Sequence, residues 1–161
     1  FDKPYMKTYT VPYLGNVIGG REIKYLNLDI NELKDLTIKQ LLNNEVVWFG
    51  SDVARYGDRK KGVWDDNTFD YETLLEMSLE MSKEDQLLYR DNNVSKRFKI
   101  ENSWGSENGS KGYYVASDSW FDKFVYQSII NKKYLTKEQI KAWNEKPTVL
   151  KPWDPMGSLA K

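Results

Sequence analysis

The sequence predicts an α+β fold in which short strands and capped helices share one core. Three observations point there. Helix starts are marked by capping pairs at Asp29 with Glu32, Ser82 with Asp85, and Thr136 with Gln139. Brief apolar or alternating runs, of strand rather than helix length, recur at Val46 to Phe49, Arg97 to Glu101, Tyr113 to Ala116 and Val125 to Ile130. A length of 161 residues fits one domain, or a large piece of a bigger one.

From the start, Phe1 to Gly20 carries Pro4, Pro12, Gly15 and Gly19-Gly20, and reads as irregular chain with little core of its own. Arg21 to Leu28 suits a short strand. Asp29 then caps a helix to about Asn43, with Ile30, Leu33 and Leu41 on one face, and Asn43-Asn44 ends it. The run Val46-Val47-Trp48-Phe49 before Gly50 is wholly apolar, as a buried strand would be. Ser51 to Asp70 is charged and glycine-containing, and is read as a long surface excursion. Ser82 opens a short helix to about Arg90. Two strands, around Phe98 and Ile100 and from Tyr113 to Ala116, flank a glycine-rich connection. Ser117 or Asp118 caps a helical turn through Trp120 and Phe121, Val125 to Ile130 gives a third strand, and Thr136 caps a helix to about Asn144. Pro147, Pro152 and Pro155 keep the end extended, a tail rather than an element. No internal repeat is present.

Composition removes several functions. Lys plus Arg number 24 and Asp plus Glu number 24, so no net field draws the protein to nucleic acid or an anionic membrane. There is no Cys and no His, so these residues build no disulfide, no thiolate and no Ser-His or Cys-His dyad. No apolar run approaches the roughly 20 residues of a membrane helix, and Phe1-Asp2-Lys3 does not open a signal peptide. A soluble, cytoplasmic protein is expected. The chain begins at Phe1 without Met, and we expect it to be part of a longer protein.

One motif carries chemistry. Glu101-Asn102-Ser103-Trp104-Gly105 is followed, after a polar loop, by Gly112-Tyr113. A lone Asn-Ser-Trp-Gly is ordinarily a turn beside a buried Trp. The flanks add specificity: Tyr13-Leu14-Gly15-Asn16-Val17, Val47-Trp48-Phe49-Gly50, Ser117 to Asp122 and Pro152-Trp153-Asp154-Pro155-Met156-Gly157. With them the chain resembles, over nearly its whole length, the papain-like cysteine peptidases of the bleomycin hydrolase and aminopeptidase C family. That resemblance implies a papain-like α+β fold, of which this chain is the C-terminal β-rich half with helical insertions. Residues 1–146 would belong to the peptidase domain and 147–161 to an extended C-terminal arm.

The resemblance implies further that the parent protein removes residues from peptide N-termini by a Cys-His-Asn thiolate mechanism, without metal or organic cofactor. Asn102 would orient the catalytic imidazole, and Trp104 would cover that hydrogen bond from water. The arm's end, Ala160 and Lys161, would bind the substrate's N-terminus through a terminal carboxylate. Lys161 would repel the substrate ammonium there, so we expect it trimmed or turned to solvent, leaving Ala160 terminal. The partners implied are peptide substrates and, in a hexamer, further copies of the chain. The family's Cys lies in an N-terminal half absent here. Its His lies in a strand shortly before the Asn motif, where this chain has only Asp91-Asn92-Asn93-Val94-Ser95. A segment is therefore expected to be missing near 91–94, and these 161 residues alone to be inactive.

Other readings compete. Trp48, Trp64, Trp104, Trp120, Trp143 and Trp153 could be stacking platforms of a binding module, although their patterns favour the core. Asp65, Asp66, Asn67 and Asp70 could hold a metal, although they lack a calcium loop's spacing and read better as a solvated turn. A structural or oligomer-forming fragment is the third, with the Ser51 to Asp70 excursion as its interface.

Overall fold

The structure is a computed structural model that describes residues 3–13, 23–54, 56–66, 90–91, 94–95 and 97–158. The chain forms two compact units, one from residues 1–50 and 126–161, the other from residues 51–125. The helix expected from Ser82 lies outside the described residues.

The first unit begins with β1 (Lys7–Thr10), paired antiparallel with β2 (Tyr25–Asn27). The expectation of an irregular, coreless opening is thus corrected, since Thr8, Tyr9, Thr10 and Val11 are all buried. Two of these are threonines, so no apolar alternation announces the strand. β-Branched Thr nevertheless suits an extended backbone, and the Thr10 hydroxyl is satisfied by Ile23 O at 2.7 Å. Helix α1 (Ile30–Leu42) starts at the expected box: Asp29 accepts from Asn31 N, and Glu32 reaches back to Asp29 N. Its buried face is not the expected one. Lys34, Leu36, Thr37 and Gln40 face inward, while Leu41 is exposed. Polar residues hold that face because their bonds are made: Gln40 donates to Val46 O at 2.8 Å and accepts from Asn131 N at 2.8 Å. Asn44, at φ 60°, turns the chain out of the helix.

Among the described residues, β3 (Trp48–Ser51) pairs only with β10 (Val125–Ile129). A two-stranded ribbon leaves a face open, so the expected buried strand is corrected: Val46 is 75% and Trp48 68% exposed.

The second unit holds a four-stranded sheet of order β4-β5-β9-β8, built from β4 (Gly57–Asp58), β5 (Val63–Trp64), β8 (Arg97–Glu101) and β9 (Tyr113–Ser117). β6 (Arg90–Asp91) and β7 (Val94–Ser95) pair separately. The expected Ser51 to Asp70 excursion is in part core, because β5 lies parallel to β9 with Trp64 beside Ala116. Trp64 stacks on Tyr114 (centroids 4.1 Å, 8°) and on Trp120 (5.3 Å, 13°). All three rings are fully buried, and together they form the centre of the unit. Gly57, paired opposite Trp64, lies flat on the indole; a Cβ there would stand 2.3 Å from Trp64 Cδ1.

Helix α2 (Asp118–Phe124) is capped by Ser117, whose hydroxyl accepts from Trp120 N. It is pinned by Asp66, which accepts from Ser119 Oγ and pairs with Lys123 Nζ. The reading of a solvated turn is corrected for Asp66, whose side chain is 2% exposed. Burial raises its carboxyl pKa, but the Lys123 ammonium and the Ser119 hydroxyl outweigh that and hold it below the ordinary 3.8. A depressed folded pKa contributes stability above the unfolded value, lost as pH falls through the folded one. Thermal melts between pH 7 and pH 2 are expected to show an acid-labile portion below about pH 4 that Asp66→Asn removes while lowering stability at pH 7. An unchanged acid limb would contradict this role.

The chain then returns to the first unit. A 3₁₀ turn (Lys132–Tyr134) precedes α3 (Lys137–Asn144), whose capping box at Thr136 and Gln139 is present as expected. Lys24 donates to the carbonyls of Trp143 and Glu145 at the helix end, and its ammonium and that of Lys132 flank the Trp143 ring at 5.1 and 4.9 Å. The tail is more than extended chain. β11 (Thr148–Val149) adds to β1 in parallel, giving the order β11-β1-β2. α4 (Pro155–Ser158) makes one turn, started by Asp154 accepting from Met156 N at 3.0 Å, with Met156 buried. Proline at the first helical position needs no N–H partner.

Candidate functional site

The connection from β8 to β9 is organised by one side chain. At the end of β8, Asn102 N donates to Gly112 O at 2.9 Å, extending the ladder by one residue. The Asn102 side chain then binds both sides of its own loop. Its Nδ2 donates to Gly112 O at 2.7 Å and Asn108 O at 3.2 Å, and its Oδ1 accepts from Trp104 N at 2.6 Å. Two carbonyls on one side and an N–H on the other leave a single sensible placement of the amide, since a flipped group would set oxygen against oxygen. Oδ1 keeps a second lone pair after bonding Trp104 N. The residue is half-buried.

The loop's turns use conformations suited to glycine. Gly105 has φ 88° and Gly112 φ 92°, in the left-handed region that glycine adopts without steric cost. Asn108 fastens the middle, taking Gly112 N on its carbonyl at 3.0 Å and donating to Trp104 O at 3.3 Å.

Trp104 is 45% exposed. Its ring meets Trp64 and Tyr114 edge-on, at 6.3 and 6.2 Å, and the Arg59 guanidinium stands 5.6 Å from its centroid. One edge therefore rests on the buried stack, while the ring stays partly open to solvent beside Asn102. The six tryptophans divide accordingly. Trp64 and Trp120 are core, Trp143 is half-buried, and Trp48, Trp104 and Trp153 are exposed.

Asn102 and Trp104 are thus in direct contact. Ala160 and Lys161 lie outside the described residues, as do Asn67 and Asp70 of the acidic stretch. Both oxygens of Asp66 are engaged, by Ser119 Oγ and Lys123 Nζ, and no group of three or more metal-ligating side chains occurs among the described residues. None of their helices is long and apolar enough to cross a membrane. Arg59 and Asn108 were not singled out by the sequence, although the Asp58 to Gly62 spacing is a turn signal that could have located the hairpin carrying Arg59.

The model of the Peptidase C1-like family matches residues 1–157. The chain belongs to the Peptidase C1-like family. It is 45% identical to an aminopeptidase C of Lactobacillus delbrueckii subsp. lactis and 37% identical to a bleomycin hydrolase of Gallus gallus, covering 99% and 98% of this chain. Among solved structures, PepW from Lactobacillus rhamnosis HN001 matches with a TM-score of 0.78 and 49% identity over 97% of this chain. That likeness fits the α+β, papain-like fold. This family member spans 39% of the length of each of these three proteins. The alignment to the Lactobacillus delbrueckii protein runs over 177 residues against the 161 of this chain, so at least 16 aligned positions of that relative have no residue here.

Proposed function

We propose that the protein containing this chain is a cysteine aminopeptidase, removing residues from peptide N-termini through a thiolate, and that Asn102 is this chain's part in the chemistry. The observation that carries the reading is the fixed Asn102 amide, with a lone pair of Oδ1 remaining, at the end of β8 in a member of this peptidase family. Such an oxygen can accept an imidazole N–H, hold the ring in the tautomer that serves a thiol, and add no negative charge beside the thiolate. Trp104 limits water on one side of that bond.

The nucleophile and the base must come from elsewhere, because the 161 residues hold neither Cys nor His. By themselves they are catalytically inactive. A surplus of relative over chain inside the aligned span is what an absent internal segment would leave; its placement near 91–94, shortly before β8, and its His rest on the bleomycin hydrolase resemblance. Closure of the cleft by the C-terminal arm through Ala160 or Lys161, with assembly into a cytoplasmic homohexamer, completes the reading and rests on the bleomycin hydrolase resemblance.

Exopeptidase action is tested by blocking the substrate amine. The full polypeptide should release a fluorophore from a free aminoacyl conjugate, and N-acetylation of that conjugate should abolish the release. Equal turnover of both would sink the aminopeptidase reading.

A further inference from the structure

We propose that Arg59 is a positioning residue for Asn102, acting through Trp104 and Asn108; the inference deepens the reading just given and rests on it for its catalytic meaning. Arg59 lies in the turn between β4 and β5, far in sequence from the Asn motif. That turn is stiff. Asp58 Oδ1 accepts from Lys60 N and Lys61 N, both at 3.0 Å, and Asp58 O accepts from Gly62 N at 2.9 Å. It is also seated against the loop, since a Cβ on Gly62 would come within 2.7 Å of Tyr113 O and 2.9 Å of Ser110 N.

From this platform Arg59 touches the loop twice. Its carbonyl accepts from Gly109 N at 3.0 Å, immediately after Asn108, and its guanidinium stands over the Trp104 ring. Those contacts fall beside two of the groups that orient the Asn102 amide, Asn108 O and Trp104 N. The rest of the amide's support comes from the loop itself. Without an external clamp, the Trp104 end of the loop would be held by the edge-on contacts of its ring and by its bonds to the Asn102 and Asn108 side chains, all within or beside the loop, and Gly105, with open space where a Cβ would stand, would let that end swing. A guanidinium is suited to the task because its flat face lies on an aromatic ring while its edge stays solvated.

The test reads amide hydrogen exchange at single-residue resolution in the full polypeptide. Arg59→Ala removes the guanidinium and leaves the backbone bond to Gly109. It is expected to speed exchange at Trp104 N roughly threefold, the scale of an exposed cation–π contact, while Tyr114 and Val115 in β9 keep their rates. Arg59→Lys, which keeps the charge but not the flat face, should fall between. Unchanged exchange at Trp104 in Arg59→Ala, or an equal acceleration along β9, would overturn the proposal, the second outcome marking a general loss of stability. Because the readout does not involve hydrolysis, failure of the clamp and failure of the peptidase reading are separable.

Discussion

Trp64→Ala is expected to destabilise the second unit by about 3–5 kcal/mol, a fall of roughly 10 °C in its melting temperature for a chain of this size. The indole is the middle ring of the stack Tyr114, Trp64, Trp120, and Trp104 rests on its edge. Truncation leaves a cavity that the neighbours cannot close, since Gly57 opposite carries no side chain to fill it. Trp64→Phe separates volume from polarity. It shortens the stack but also removes a buried N–H for which the described residues supply no acceptor, and an unpaired donor of that kind carries a penalty of about 1–3 kcal/mol. The Phe variant should therefore lose much less than the change in ring size alone implies. Circular-dichroism melts measure both, and an Ala variant with the parent melting temperature would show that the stack is not the unit's centre.

Asn102→Asp is the second large effect. The substitution keeps the acceptor for Trp104 N but turns the donor toward Gly112 O and Asn108 O into a carboxylate oxygen, placing three oxygens together. The expected cost is about 1–3 kcal/mol, read as a lower urea midpoint. Its pH dependence has a definite sign. Only the protonated acid can donate to either carbonyl, so the folded-state pKa is raised, and the penalty is least in acid and grows as pH rises through that value. In the full polypeptide, Asn102→Ala should lower kcat with little change in KM, because an orienting group acts on the imidazole rather than on substrate affinity. A pH-independent urea midpoint in Asn102→Asp would contradict the hydrogen-bond assignment.

What the sequence revealed follows from how local each feature is. Capping at Asp29, Ser117 and Thr136 involves residues two or three positions apart, and all three are written in the sequence. The alternation of β8 is equally plain, because Phe98 and Ile100 face the core while Lys99 and Glu101 face out. β1 was hidden because Thr8 and Thr10 fill buried positions that a hydropathy pattern assigns to apolar residues. Gln40 misled in the same way on α1, its amide being satisfied by Val46 and Asn131. Trp48 erred in the opposite direction, since an apolar run reads as buried whether or not a third strand covers it.

The site was legible to the same degree. Asn102 and Trp104 were found because the loop that holds them is continuous in sequence. Arg59 was not, since its contact with Trp104 comes from the parallel pairing of β5 with β9, which nothing in the intervening charged stretch announces. The strand that carries Trp64 was hidden for the same reason, although Trp64 is among the most buried side chains.

The most direct measurement is the intact mass of the protein as isolated from its source cells, paired with aminoacyl-fluorophore hydrolysis before and after thiol alkylation. A mass well above the 19.0 kDa of these residues, with activity that alkylation abolishes, is the predicted result: Asn102 then serves a cysteine and a histidine held elsewhere in the same polypeptide. A mass of 19.0 kDa with no activity, or activity indifferent to alkylation, would contradict it.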